Sequence, residues 1–185
     1  MLFRVAFGVL ILSWIVWVLA FVRVRRVAAG QQKAVRAPAS RWGIALVGIG
    51  YFLVWVQIHP VGFHKSAASL IVSMLLGLPS AGMAWAATYH LGKQWRYEAA
   101  ISKGHELIQT GPYRFLRHPI YTSMFGMLLA AGCCVSWWPR FVAGVGGFLI
   151  GTEVRVRAEE RLLAGHFPEY AEYRKRTSAY LPMIR

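Results

Sequence analysis

The stretch Ile120–Arg161, IYTSMFGMLLAAGCCVSWWPRFVAGVGGFLIGTEVRVRAEER, decides the fold. It reads as two apolar helices in tight succession. The first is expected over roughly Ile120 to Trp138, and Pro139 marks a turn with almost no loop. The second begins near Phe141 and runs past Glu153 into a charged tail. Only Phe141 to Thr152 is free of charge. That is too short to cross a hydrocarbon core of about 30 Å unaided, so its neighbours must shield it. Gly144, Gly146, Gly147 and Gly151 suit a helix that others approach closely. Gly144-Val-Gly-Gly147 is no dinucleotide fingerprint, because no strand precedes it.

Outward from this hairpin, three more apolar runs precede it. They are expected at roughly Leu2–Val22, Trp42–Ile58 and Ala67–Leu91. The third contains Gly77-Leu78-Pro79, and proline in a membrane helix can kink it without ending it. The first reads as a retained helix rather than a signal peptide: it is long for an h-region, and no small-x-small site precedes the basic cluster. The expected fold is an all-α polytopic bundle of about five transmembrane helices in one domain, 1–185. Residues 1–91 carry three helices and 92–185 the hairpin and tail.

Charge supports that count. The chain holds 21 Lys and Arg against seven acids, all Glu, and all lie after position 97. The segments 23–41, 93–117 and 155–185 carry 18 of the 21 basic residues. Five spans place all three segments on one face, leaving Arg4, Lys65 and Arg140 on the other. The positive-inside rule then puts the N-terminus outside and the C-terminus in the cytoplasm. A formal net charge of +14 also suits nucleic-acid binding, but here the basic residues alternate with apolar spans, so no nucleic-acid partner is expected. The hydrophobic share, 57%, exceeds the roughly 45–50% of soluble domains. Cys133 and Cys134 are adjacent in an apolar run and read as packing residues. His59, His64, His90 and His166 lack ligand spacing, and no metal is expected.

Two polar segments carry the chemistry. The first runs from His105 through Gly111-Pro112-Tyr113 and Arg117-His118-Pro119 to Tyr121. The second holds Arg155, Arg157, Glu159, Glu160 and Arg161, then Phe167, Tyr170 and Tyr173. The hairpin returns both to one face, since each arm rises about 28 Å. In this order the residues resemble the isoprenylcysteine carboxyl methyltransferase and phospholipid methyltransferase group. The matching elements are Arg117-His118-Pro119-x-Tyr121 after Gly111-Pro112-Tyr113, and Glu159-Glu160-x-x-Leu163 before Phe167 and Tyr170-x-x-Tyr173. Leu91-Gly92-x-x-Trp95 is similar to a weaker upstream element. The resemblance covers about Leu91 to Pro182. Ser123 departs from the group's pattern, which has glycine there.

The resemblance implies a cytoplasmic S-adenosylmethionine site without a Rossmann fold, with S-adenosylhomocysteine as product. Its cofactor residues would be His105, Leu107, Ile108, Gly111, Pro112, Tyr113, Arg117, His118, Pro119 and Tyr121, closed by Glu159 and Glu160. Tyr113 or Tyr121 could face the sulfonium. Glu159 or Glu160 could take the ammonium, and Arg117 or His118 the carboxylate. Adjacent helical residues diverge, so at most one of the two glutamates points straight in. Arg157 and Glu160 are the expected catalytic residues, Arg157 orienting the acceptor, and Arg96 is a candidate for a head-group contact. Glu153, near the end of an apolar run, is either functional or a boundary marker. The implied reaction is methylation of a lipophilic acceptor arriving from the bilayer, foremost the carboxylate of an isoprenylcysteine. A carboxylate needs no general base at neutral pH. The rival readings are phospholipid N-methylation, an NADPH-dependent reductase on a related fold using Arg174, Lys175 and Arg176, and a non-catalytic membrane protein.

Overall fold

The computed structural model describes residues 1–28, 35–36, 40–56, 65–96, 100–101 and 106–180. Among the described residues there are six α-helices: α1 (Leu2–Ala28), α2 (Ser40–Trp55), α3 (Ala67–Leu91), α4 (Pro119–Val135), α5 (Trp138–His166) and α6 (Tyr170–Arg176). Short 3-10 turns occupy Gly92–Gln94 and Gly111–Arg114. The described strands are a two-residue antiparallel pair, β1 (Val35–Arg36) with β2 (Ala100–Ile101).

The expected apolar runs fall on α1 to α5: α3 has the expected ends, and the others differ at one end or both. By length and composition, Leu2–Ala28 and Ala67–Gln94 are each apolar and long enough to cross a membrane. The helices Arg41–Trp55 and Pro119–Val135 are apolar but shorter. Ser66 caps α3 by accepting the Ser69 amide at 3.1 Å, and Pro79 lies inside an unbroken helix. At 29 residues α5 is about 44 Å long, longer than the roughly 30 Å of a hydrocarbon core, and its charged residues cluster from Glu153 onward.

The hairpin is real in connection but not in packing. Only Ser136 and Trp137 separate α4 from α5, yet α5 packs chiefly on α2, and α4 chiefly on α3. The reason is glycine. A Cβ on Gly50 would lie 2.7 Å from the Gly144 carbonyl oxygen, and one on Gly43 2.7 Å from that of Gly151. The relation is reciprocal, at 2.8 Å for both Gly144 and Gly151. The two backbones therefore touch at two crossings without side chains between them. Gly77 meets Ser13 of α1, and Gly126 of α4 meets Ser80 of α3. These small contacts join α1, α3 and α4 into a second packed group. Ala6, Leu10, Val54, Leu128, Ala131 and Phe148 fill the space between.

Candidate functional site

The site begins at a turn. Gly111 has φ +58°, a left-handed conformation that a side chain resists. A Cβ there would also collide with the His90 imidazole at the end of α3. His90 Nδ1 lies 3.0 Å from the Thr110 hydroxyl, so α3 braces the turn through both neighbours. Gly111→Ala is therefore expected to lose about 1–2 kcal/mol of stability, read as a lowered midpoint of unfolding in detergent. Pro112 follows Gly111 in the first part of the 3-10 turn, Tyr113 is buried, and His118 with Pro119 opens α4.

The chain beyond α6 clamps this segment. Leu116 and Ser178 form a parallel bridge. The Arg117 amide donates to the Ser178 carbonyl and the His118 amide to that of Ala179, each at 2.8 Å. The Tyr173 hydroxyl donates to the Tyr113 carbonyl at 2.7 Å. Nothing in sequence spacing announces this strap beyond the Tyr170-x-x-Tyr173 pair.

A chain of polar groups joins the two predicted segments. Arg117 Nε donates to Glu160 Oε1 at 2.9 Å, and both side chains are almost fully buried. The Arg117 guanidinium also donates to the carbonyls of Thr177 and Arg174. His118 lies between the glutamates, with Nδ1 3.4 Å from Glu159 and Nε2 3.6 Å from Glu160. The Tyr121 hydroxyl donates to Glu159 Oε1 at 2.5 Å and accepts from Arg155 Nε at 2.6 Å. The Arg155 guanidinium also lies over the Tyr121 ring, 5.5 Å from its centre. Burial works against charge on Glu160, but the nearby His118 imidazole and the hydrogen bond from Arg117 prevail and its pKa is pushed down to about 2. Glu159 is likewise lowered against the cost of burial, by His118, Arg155 and Tyr121. Burial alone would lower the His118 pKa, and the two carboxylates raise it instead.

A cavity of about 600 Å³ opens on this network. Its polar end is lined by Tyr113, Arg117, His118, Tyr121, Arg155 and Glu159. Its apolar arm passes between Trp17, Val18, Phe21 and Val22 of α1 and Ile44, Val47 and Gly48 of α2. Val18 and Val22 are 44% and 40% exposed, so this arm is open rather than enclosed.

Of the predicted residues, the cavity gathers Leu107, Ile108, Tyr113, Arg117, His118, Tyr121 and Glu159, together with Arg96. Gly111, Pro112 and Pro119 do not line it, though they flank Tyr113 and His118, which do. His105 lies outside the described residues. Glu160 is one layer back, held by Arg117. Arg157 does not line the cavity: its side chain is 62% exposed and pairs with Glu153 at 2.7 Å. Arg155 occupies the inward face instead. The signal was present, since Arg155 precedes Glu159 by four residues and Arg157 by only two. Lys175 pairs with Glu172 at 2.6 Å and Arg176 bonds the Glu172 carbonyl, so both serve α6 locally. Among the described residues no group of three or more His, Cys, Asp or Glu could hold a metal.

The cavity thus joins charged and polar lining residues to apolar ones. The chain belongs to the isoprenylcysteine carboxyl methyltransferase (ICMT) family, a family of membrane methyltransferases, whose model matches residues 70–165. It is 32% identical over 120 residues to the nickel-cobalt-cadmium resistance protein NccN of Alcaligenes xylosoxydans xylosoxydans, covering 64% of this chain and 52% of that protein. It is 31% identical over 124 residues to the cobalt-zinc-cadmium resistance protein CzcN of Cupriavidus metallidurans, covering 66% and 53%. The chain spans about half the length of these curated relatives.

Proposed function

We propose that the chain transfers a methyl group from S-adenosylmethionine to a lipophilic acceptor, most favourably a carboxylate of the isoprenylcysteine type. The observation that carries this reading is the continuity of one cavity from a carboxylate and guanidinium network to an apolar arm. The group fits the residues present: Glu159 offers a carboxylate to an ammonium, and buried His118 Nε2 has no hydrogen-bond partner within 3.5 Å. The Tyr113 ring lines the same cavity and offers a face to a cation. When bound, S-adenosylmethionine supplies an electrophilic methyl group on a sulfonium. The protein's part is alignment in a dry site. Arg155, rather than Arg157, is placed to orient an acceptor anion, and Tyr121 and Glu159 hold it in place.

The acceptor's tail enters from the bilayer between α1 and α2. In this reading five helices span the membrane, the N-terminus is outside, and the site faces the cytoplasm, as the basic residues favour. The names of the relatives concern resistance to metal ions; the reading here assigns the chain no metal.

The test is titration of S-adenosylmethionine and S-adenosylhomocysteine into detergent-purified protein, with NADPH in parallel. Saturable binding of the first two and none of NADPH is the expected result, followed by methylation of N-acetyl-S-farnesylcysteine. Folded protein that binds neither would overturn the proposal.

A further inference from the structure

Ser123 is 1% exposed on the face of α4 that meets α1. Its hydroxyl donates to the Ile120 carbonyl at 2.7 Å. That commits its single proton, so toward Trp17 the oxygen can only accept. The Trp17 indole can only donate, and its Nε1 lies 3.3 Å away. The neighbouring indole, Trp14, has no such anchor: its Nε1 is buried without a partner.

Trp17 is not an ordinary packing residue, because it lines the apolar arm of the cavity. Its ring lies 4.6 Å from Phe21, and Phe21 lies 6.4 Å from Trp95 beyond α3. All three line the cavity, making one continuous aromatic wall. The facing wall is aliphatic, from Ile44 and Val47. A flat segment of unsaturated chain stacks on an indole face better than a flexible saturated one, which must also lose more rotamers.

We infer that Ser123 and Trp17 together determine acceptor specificity: the hydroxyl pins the indole along the apolar arm, and the pinned ring selects unsaturated, prenyl-like tails over saturated tails of equal carbon count. The inference rests on the methyltransferase reading for its turnover assay only. Ser123→Ala removes the hydroxyl and keeps a good helix former. Ser123→Thr restores the hydroxyl.

The experiment uses the full chain in detergent and two acceptors, N-acetyl-S-farnesylcysteine and its saturated straight-chain counterpart. The wild type is expected to prefer the farnesyl compound in kcat/KM by about two- to tenfold. Ser123→Ala and Trp17→Leu should bring that ratio near one, with S-adenosylhomocysteine affinity unchanged, and Ser123→Thr should retain it. A second arm measures labelling of the Trp17-containing peptide by a diazirine-bearing farnesyl probe, competed by each acceptor. Turnover with the same ratio in all variants would overturn the specificity role and leave the methyltransferase reading standing. Absence of cofactor binding, with Ser123-dependent labelling that prenyl compounds compete best, would overturn the methyltransferase reading and sustain the specificity role. A wild type that shows no prenyl preference in either arm overturns the specificity role outright.

Discussion

Glu160→Ala is expected to destabilise the protein by about 3–5 kcal/mol, because it leaves the Arg117 guanidinium buried without its carboxylate. Arg117 is 5% exposed and Glu160 5%. The damage should spread, since Arg117 also holds the carbonyls of Arg174 and Thr177. The strap over Tyr113 to His118 would loosen with it. Denaturation in detergent checks this, and Glu172→Ala supplies the contrast. Glu172 and Lys175 are mostly exposed, so that change should stay within about 0.5 kcal/mol. Replacing both Arg117 and Glu160 with apolar residues of similar size should cost less stability than Glu160→Ala alone.

The pH dependence follows from the same contacts. The Glu160 carboxyl is pushed down to about 2 in the folded protein, below its unfolded value. Its stabilisation is therefore present above the unfolded pKa of about 4.3 and is lost as pH falls toward 2. His118 is shifted upward. Its contribution is full below its unfolded pKa of about 6.5 and is lost as pH rises through the higher folded value. Stability should thus fall on both sides of a middle range, with His118→Gln removing the alkaline limb.

Glu159→Gln is expected to behave differently from Glu160→Ala. Glu159 lines the cavity, so the change should reach ligand binding more than folding. Loss of one charge-assisted hydrogen bond predicts a fall of about 10- to 100-fold in S-adenosylhomocysteine affinity. Arg155→Ala should in turn lower turnover by about 100-fold, the scale of losing one preorganised donor. Arg157→Ala should change it by less than about threefold, as for other exposed pairs. Calorimetry and initial rates check both. A larger effect at Arg157 than at Arg155 would overturn the assignment of the inward arginine.

The same pair of arginines shows where sequence reading stops. Hydrophobic runs found α3 at its observed ends, because solvent-avoiding length is a local property. The ordered motifs found Tyr113, Arg117, His118, Tyr121 and Glu159, which meet in the cavity. The inward face of α5 was missed: its two arginines are equal in composition, only the four-residue spacing of Arg155 from Glu159 favours one of them, and the packing against α2 sets the rotation. Gly43 makes that packing possible: a Cβ there would strike the Arg155 side chain. The apolar arm was equally hidden. Trp17, Phe21, Ile44 and Val47 look like any span residues until helices from distant parts of the chain are laid beside the motifs.

The glycine crossings between α2 and α5 have a mechanical consequence. They lock those two helices into a single slab, which carries Ile44 and Val47 on one helix and Arg155 and Glu159 on the other. The other slab, α1 with α3 and α4, carries Trp17, Phe21, His118 and Tyr121. The cavity is the joint between them, and packing across that joint is far thinner than within either slab. Any widening that admits a bulky tail therefore falls on the joint as a hinge between stiff plates. Because Tyr121 bonds to Arg155 and Glu159 across it, the same polar network that shapes the site also serves as its latch.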